Sequence, residues 1–287
     1  MVKSFLKLSK PVILTTNQNI CGQNIRKALI SNWDFKETSE YFDNGPILQY
    51  KNIRLVYSEK DVIHSDHCDS LDADMLIYGS RHKSAANKPS LLTHVTGNLG
   101  KDNSHGGNPF ELSYGSTRAI REIYLGLLKE KNNYQLDDFD VTVEATHHGP
   151  TSMDTPLVFV EVGSTEREYN NEQAILAVAK TIMNLCLKQQ EEEIKPSICF
   201  GGGHYATRFN ELMELTSVAI GHILPKYHKQ NLTISIVEQM IDKTIEEVRY
   251  AIIDRSSLNN DQIAIIRDTC STRDIEVVKA RDIKYEK

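Results

Sequence analysis

Four short segments of this chain set histidine among small or glycine residues. They are Ser80-Arg81-His82, Leu92-Thr93-His94, Ala145-Thr146-His147-His148-Gly149-Pro150 and Gly201-Gly202-Gly203-His204-Tyr205, and three of them directly follow an apolar run. An apolar run of about four to eight residues that stops at Gly, Ser or His reads as a buried strand opening into a functional loop. In open α/β sheets, ligands bind just beyond the carboxyl ends of such strands. The expectation is therefore that the histidine segments gather on one rim, the arrangement a metal-dependent hydrolase needs.

Each segment has a chemical and a plain reading. Period-two alternation puts Glu144 on the strand face of His148 and His147 on the other, so one ring could ligate a metal while its neighbour hydrogen-bonds a substrate or a carboxylate. The plain alternative is a surface pair in a Gly-Pro turn. Glu161 ends the apolar run Leu157-Val158-Phe159-Val160 and precedes Gly163-Ser164-Thr165. A carboxylate there can bind a metal or act as a base, although alone it reads as a solvated strand exit. Gly201, Gly202 and Gly203 permit close backbone approach, and their amides can form an anion nest or hold an oxyanion; otherwise they are a flexible turn. Arg208, four residues after His204, can pair with a phosphate or carboxylate. Arg81, Lys83 and Lys88 supply cations beside the expected site, where a phosphate would want them. Singly, each is also an ordinary solvated charge. His64, His67, His105, His222 and His228 have weaker contexts and read as surface or core, with His222 the first exception to consider.

The elements that must position these groups alternate between the two periodicities. Strands are expected at 12–14, 75–79 and 198–200, and a hairpin at 47–50 and 53–57 with Lys51-Asn52 at its turn. Residues 141–146 and 157–162 read as neighbouring strands, and 275–278 as a last one. Helices are expected at 19–30, 117–131, 172–187 and 236–252. The stretch 80–113 is rich in Asn, Gly, Ser and Pro around one short strand near 91–95, which marks it as functional or mobile. Helices alternating with strands indicate an α/β fold.

Composition narrows the class. With 287 residues, 40% hydrophobic and 25% charged, the chain is an ordinary globular protein rather than a disordered one. Its apolar runs fall well short of the roughly 20 residues of a membrane span, and its first residues lack a secretory signal, so a cytoplasmic protein without a membrane partner is expected. Cys21, Cys68, Cys186, Cys199 and Cys270 are odd in number and contain no Cys-x-x-Cys, the usage of reduced thiols. A net charge of −6 argues against indiscriminate nucleic-acid binding and leaves room for a local basic patch.

Five segments taken in order carry a resemblance: Ser80-Arg81-His82, Leu92-Thr93-His94 with Gly97-Asn98, Thr146-His147-His148-Gly149-Pro150-Thr151, Glu161-Val162-Gly163-Ser164-Thr165 and Gly201-Gly202-Gly203-His204-Tyr205. Together they resemble the archaeal-type D-aminoacyl-tRNA deacylases, a family also present in plants, from about residue 11 onward. Two positions depart from the pattern: Thr207 stands where proline is expected and Tyr169 where tryptophan is. The resemblance implies an α/β fold with a mixed sheet and flanking helices, similar to the phosphorylase/hydrolase group, with or without a smaller second lobe. Residues 1–10 would be an extension and 11–287 one deacylase domain. It also implies a hydrolase that removes D-amino acids from the acceptor end of tRNA using zinc, one or two ions per subunit; separately, a monomer is expected.

The metal ligands are then expected among His82, His94, His147, His148, Glu161 and His204. His148, Glu161 and His204 are also the catalytic candidates. Substrate would meet Arg81, Lys83, Gly201, Gly202, Gly203 and Arg208. Three other readings stay open at this stage. One is a metal-dependent amidase or carboxypeptidase for small acylated amino acids; a second is the same tRNA chemistry run by a histidine base without metal; the third is a noncatalytic binder of the tRNA acceptor end.

Overall fold

The computed structural model describes residues 7–189, 192–254 and 257–285; Met1–Leu6 of the expected extension and the last two residues of the tail lie outside them. Among the described residues the strands form two sheets. The larger contains β1 (Pro11–Thr16), β2 (Lys36–Phe42), β3 (Gly45–Tyr50), β4 (Ile53–Ser58), β5 (Met75–His82), β6 (Ser90–His94), β7 (Asp140–Val143) and β8 (Leu157–Gly163), in the order β2-β3-β4-β1-β5-β8-β6-β7. It is mixed. β4, β1, β5 and β8 run parallel, whereas β6 is antiparallel to β8 and carries β7 alongside it. The smaller sheet holds β9 (Lys195–Phe200), β10 (Val218–Leu224), β11 (Tyr250–Ile253) and β12 (Glu276–Lys279), all parallel, in the order β10-β9-β11-β12.

Period-two alternation sorts the large sheet into two faces. Ile77, Leu91, Val158, Val160 and Val162 pack with apolar residues of the helices α1 (Ile20–Asn32), α2 (Thr117–Asn133) and α4 (Glu172–Leu187). The short α3 (Glu166–Tyr169) precedes α4 and carries a capping box between Thr165 and Glu168. These helices start where polar caps allow: Asn19, Ser116 and Asn171 each accept an amide of the first turn. The same core continues into one face of the small sheet through Cys199, Ile220 and Ile252, together with Phe209 and Leu212 of α5 (Thr207–Leu215). The other face of that sheet packs against α6 (Ile234–Asp242) and α7 (Asn260–Ser271).

Several expectations are corrected here. The strands at 141–146 and 157–162 are not neighbours, because β6 inserts between them. The helix expected at 236–252 stops at Asp242, and residues 250–253 form a strand instead. An apolar period cannot tell a helix from a strand that finds parallel partners in β9 and β12. Within the stretch 80–113, residues 90–100 are buried whereas 85–88 and 101–105 are exposed, and the Asn98 amide donates to the carbonyls of Gly106 and Asn108. No described helix is long and apolar enough to cross a membrane.

Candidate active site

On the face of the large sheet turned away from the helices, β5 carries Tyr78, Ser80 and His82, β8 carries Phe159 and Glu161, and β6 carries Leu92 and His94. Ser80 lies opposite Glu161, and Leu92 opposite the same residue from the other side, so three strands deliver polar groups to one spot. This is not the single rim expected from sequence. β6 and β7 run against β8, so His94 arrives from the opposite direction to His82.

His147 and His148 reach the same spot after β7 ends at Val143. The alternation expected for Glu144, His147 and His148 fails, because the chain has left the strand and His148 adopts a left-handed φ of 47°. Both rings therefore face the cluster. The ring centroids of His94, His147 and His148 lie 4.3, 4.8 and 4.4 Å apart, and Phe159 stacks on His94 at 5.3 Å. In all three rings Nδ1 meets a backbone carbonyl: Val95 at 3.3 Å, Ala145 at 2.8 Å and Gly149 at 2.6 Å. A carbonyl only accepts, so each Nδ1 carries a hydrogen, and in a neutral ring Nε2 then keeps a lone pair for a ligand. His94 Nε2 is buried with no hydrogen-bond partner among the described residues.

Two buried carboxylates complete the cluster. His82 Nδ1 lies 3.4 Å from Glu144 and 3.7 Å from Glu161, His94 Nε2 lies 3.7 Å from Glu161, and His204 Nε2 approaches Glu144 to 2.9 Å. Burial alone would lower the His82 pKa, but the nearby carboxylates of Glu144 and Glu161 outweigh it and raise the value to about 11. Burial alone would raise Glu161, yet His82 and His94 bring it down to about 2; His204 and His82 likewise hold Glu144 well below the usual carboxylate range. His148 is pushed down to about 4, first by burial and then by His94, and His147 falls well below its ordinary value for the same reasons. These shifts favour a positively charged His82 between two carboxylates, with His147 and His148 favoured neutral beside them. Three trios have ligand atoms within 4.8 Å of one another: His94, His147 and His148; Glu144, His147 and His204; and His82, Glu144 and Glu161.

The cluster lies at the floor of a cavity of about 410 Å³. Its walls bring together His82, His147, His148, Glu161 and His204, with Arg81 and Lys83 at the edge; Asn98, Asp102, His105 and His228 close the other side. The glycine segment falls elsewhere. Gly201 N–H donates to the Leu224 carbonyl and Gly202 N–H to Ser257 Oγ, so these two amides are engaged rather than offered to an oxyanion. Gly202, Gly203 and Arg208 line a separate notch of about 320 Å³, and the Arg208 guanidinium is held by Glu211 and Tyr285. Lys88 is not among the residues of either wall.

Glu144 is the main residue missing from the sequence-derived site. Its signal was a lone carboxylate in an otherwise apolar strand, three residues before His147. Tyr205 was also missed: its hydroxyl sits 3.3 Å from His82 Nε2 and donates to Ser84. The two family departures are accommodated. Tyr169 OH is within 2.8 Å of the carbonyls of both His82 and Ser164, tying together the ends of β5 and β8. Thr207 is the first residue of α5, a position that suits proline, and here its N–H donates to the Tyr205 carbonyl at 2.9 Å.

A sheet-mounted cluster of histidines and carboxylates, set in a cavity of about 410 Å³, has the composition of an enzyme active site on an α/β fold. The comparison with known proteins makes this particular. The chain belongs to the D-aminoacyl-tRNA deacylase family, whose model matches residues 69–278. It is 32% identical to a D-aminoacyl-tRNA deacylase of Pyrococcus furiosus over 277 residues, covering 93% of this chain and 99% of that one. It is 31% identical to one of Methanosarcina mazei, covering 96% and 94%. A crystal structure described as a conserved protein of unknown function superposes with a TM-score of 0.89 at 26% identity, covering 97% of this chain and 98% of that one.

Proposed function

We propose that this chain hydrolyses the ester joining a D-amino acid to the terminal ribose of tRNA, with zinc held in the histidine cavity. Family membership supports the reaction. One observation carries the zinc: one buried and two half-buried rings, those of His94, His147 and His148, whose Nδ1 atoms are all committed to backbone carbonyls, leaving their Nε2 atoms as ligands. That is how metal-binding histidines are ordinarily oriented, and nitrogen donors beside carboxylates suit zinc. His94, His147 and His148 would hold the ion through Nε2. When bound, zinc supplies a Lewis acid that brings the pKa of water to about 7.

The chain's own groups do the rest. Glu144, ionised and 2.9 Å from His204, can take a proton at its carboxylate and release it to the departing ribose oxygen. His82, held positive by Glu144 and Glu161, balances their charge and favours negative charge developing on the carbonyl oxygen. An ester is already activated relative to an amide, so positioning carries much of the rate. A cavity of about 410 Å³ suits an aminoacyl group and leaves the RNA outside, where Arg81 and Lys83 stand at the rim.

A metal-free reaction has one observation in its favour, the Glu144–His204 contact, which is a base with its orienting carboxylate. Chelation separates the two. D-Tyr-tRNA deacylation should vanish when metal is stripped and return with added zinc, tracking metal content. Full activity in a demonstrably metal-free preparation would leave Glu144–His204 as the engine and overturn the zinc reading. Stronger turnover of N-acylated amino acids than of D-Tyr-tRNA, assayed side by side, would instead make the chain an amidase.

A further inference from the structure

An aromatic side chain stands beside the cavity mouth with no part in the core. Tyr227 follows β10 through Pro225 and sits in the short 3-10 turn Lys226–Asn231, with 44% of its surface exposed. Exposed tyrosines are common, but the surroundings of this one set it apart. Its hydroxyl lies 2.9 Å from Nδ1 of His204, whose Nε2 faces Glu144. Its ring lies 4.9 Å from that of His228, tilted by 51°. His228 in turn lines the cavity. Lys226 and Lys229 flank it in sequence, and both are exposed.

An open ring between cations is how proteins hold unpaired bases: the ring stacks and the cations meet the backbone, with little dependence on base identity. The position matters as much as the chemistry. In an aminoacylated tRNA the scissile ester and the last base share one ribose, so a carbonyl at the cavity floor leaves that base at the mouth. Tyr227 is one hydrogen bond away from His204 and packs on His228, both of which line the cavity. The segment Pro225-Lys226-Tyr227-His228-Lys229 carried this signal in the sequence as an aromatic pair between lysines.

We propose that Tyr227 is the stacking platform for the terminal base of the acceptor strand, and that its hydroxyl positions His204 from the same side chain. This rests on the deacylase reading above. The Tyr227 hydroxyl, 2.9 Å from Nδ1, holds the His204 ring with Nε2 turned toward Glu144. A base seated on the ring would then hold the tyrosine, and through it the histidine, in place.

The two roles separate by substitution, assayed on D-Tyr-tRNA and on D-tyrosine methyl ester, which has the same scissile carbonyl and no base. Tyr227→Phe keeps the ring and loses the hydroxyl: kcat should fall about tenfold on both substrates, with KM for the tRNA within about twofold of wild type. Tyr227→Leu loses both, and its KM for the tRNA should rise a further 5- to 100-fold or so, while on the methyl ester it matches Tyr227→Phe. A wild-type KM for D-Tyr-tRNA in Tyr227→Leu would overturn the platform. An equal KM rise on the methyl ester would also overturn it, as general damage to the site. Undiminished kcat in Tyr227→Phe would overturn the link to His204. Failure of wild-type protein to deacylate D-Tyr-tRNA while it cleaves the methyl ester is a different result: it refutes the deacylase reading and the platform falls with it.

Discussion

His222 offers a test of how the site is supported from behind. It is fully buried on β10, with Nε2 donating to the Ser113 carbonyl at 3.1 Å and Nδ1 3.3 Å from the hydroxyl of Thr146, the residue just before His147. Burial pushes its pKa from 6.5 down to about 4. The neutral form is thus favoured in the folded state, while the unfolded chain takes up a proton below about pH 6.5. Its contribution to stability is complete above that value and is lost as pH falls toward 4. A displacement of about 2.5 units corresponds to roughly 3 kcal/mol across that window. His222→Gln can keep the bond to Ser113 but does not titrate, and it should cost about 1 kcal/mol at pH 8 for the altered packing and the missing bond to Thr146. Wild type therefore starts about 1 kcal/mol ahead, is overtaken near pH 6, and ends roughly 2 kcal/mol behind at pH 4. Urea unfolding followed by circular dichroism at intervals of pH, with chelator present so that no metal adds to the slope, measures both curves. Parallel curves over this range would refute the assignment of a buried neutral histidine at this position.

Three further outcomes are expected. His148→Ala and His204→Ala should each lower kcat for D-Tyr-tRNA by about a hundredfold or more, the scale of losing an acid–base or electrostatic group, with cooperative unfolding retained; near-normal turnover would place that residue outside the site. Gly163→Ala should push on the cluster from β8, because a Cβ there meets Ser90 Oγ at 2.6 Å and His82 Cδ2 at 2.8 Å. It should cost about 1–3 kcal/mol in stability and lower kcat more than it raises KM, and full activity would show that His82 has room to move without consequence. Arg81→Ala combined with Lys83→Ala should flatten the log–log salt dependence of D-aminoacyl-tRNA binding by about one unit for each phosphate no longer neutralised, leaving the preference for D over L unchanged; an unaltered slope and affinity would take this rim out of the RNA path.

Much of the molecule was legible before its structure. Local signals located α1, α2 and α4, the hairpin of β3 and β4, and the strands that carry His82, Glu161 and the glycine segment, because caps, turn residues and periodicity act over a few residues. The histidine segments and their order also sufficed for the family resemblance. Expectations that depended on partners distant in the chain fared differently. Residues 250–253 continued an apolar period that reads as helix, and only pairing with β9 and β12 makes them a strand. Glu144 looked like a strand carboxylate, and only the approach of His82 and His204 makes it the hub of the cluster. The amides of Gly201 and Gly202 looked available for an anion, and Leu224 and Ser257 engage them.

By itself, then, the amino-acid sequence determined which side chains are chemically equipped, which short elements present them, and to which family they belong. The tertiary structure decided which of those groups share a cavity, which nitrogen of each ring faces it, and which carboxylates stay ionised there. The division has a physical cause. Helix caps and strand alternation depend on neighbours a few residues away, whereas the direction of β6 against β8, the burial that shifts each pKa and the carbonyl that fixes each tautomer depend on residues brought together only by the folded chain.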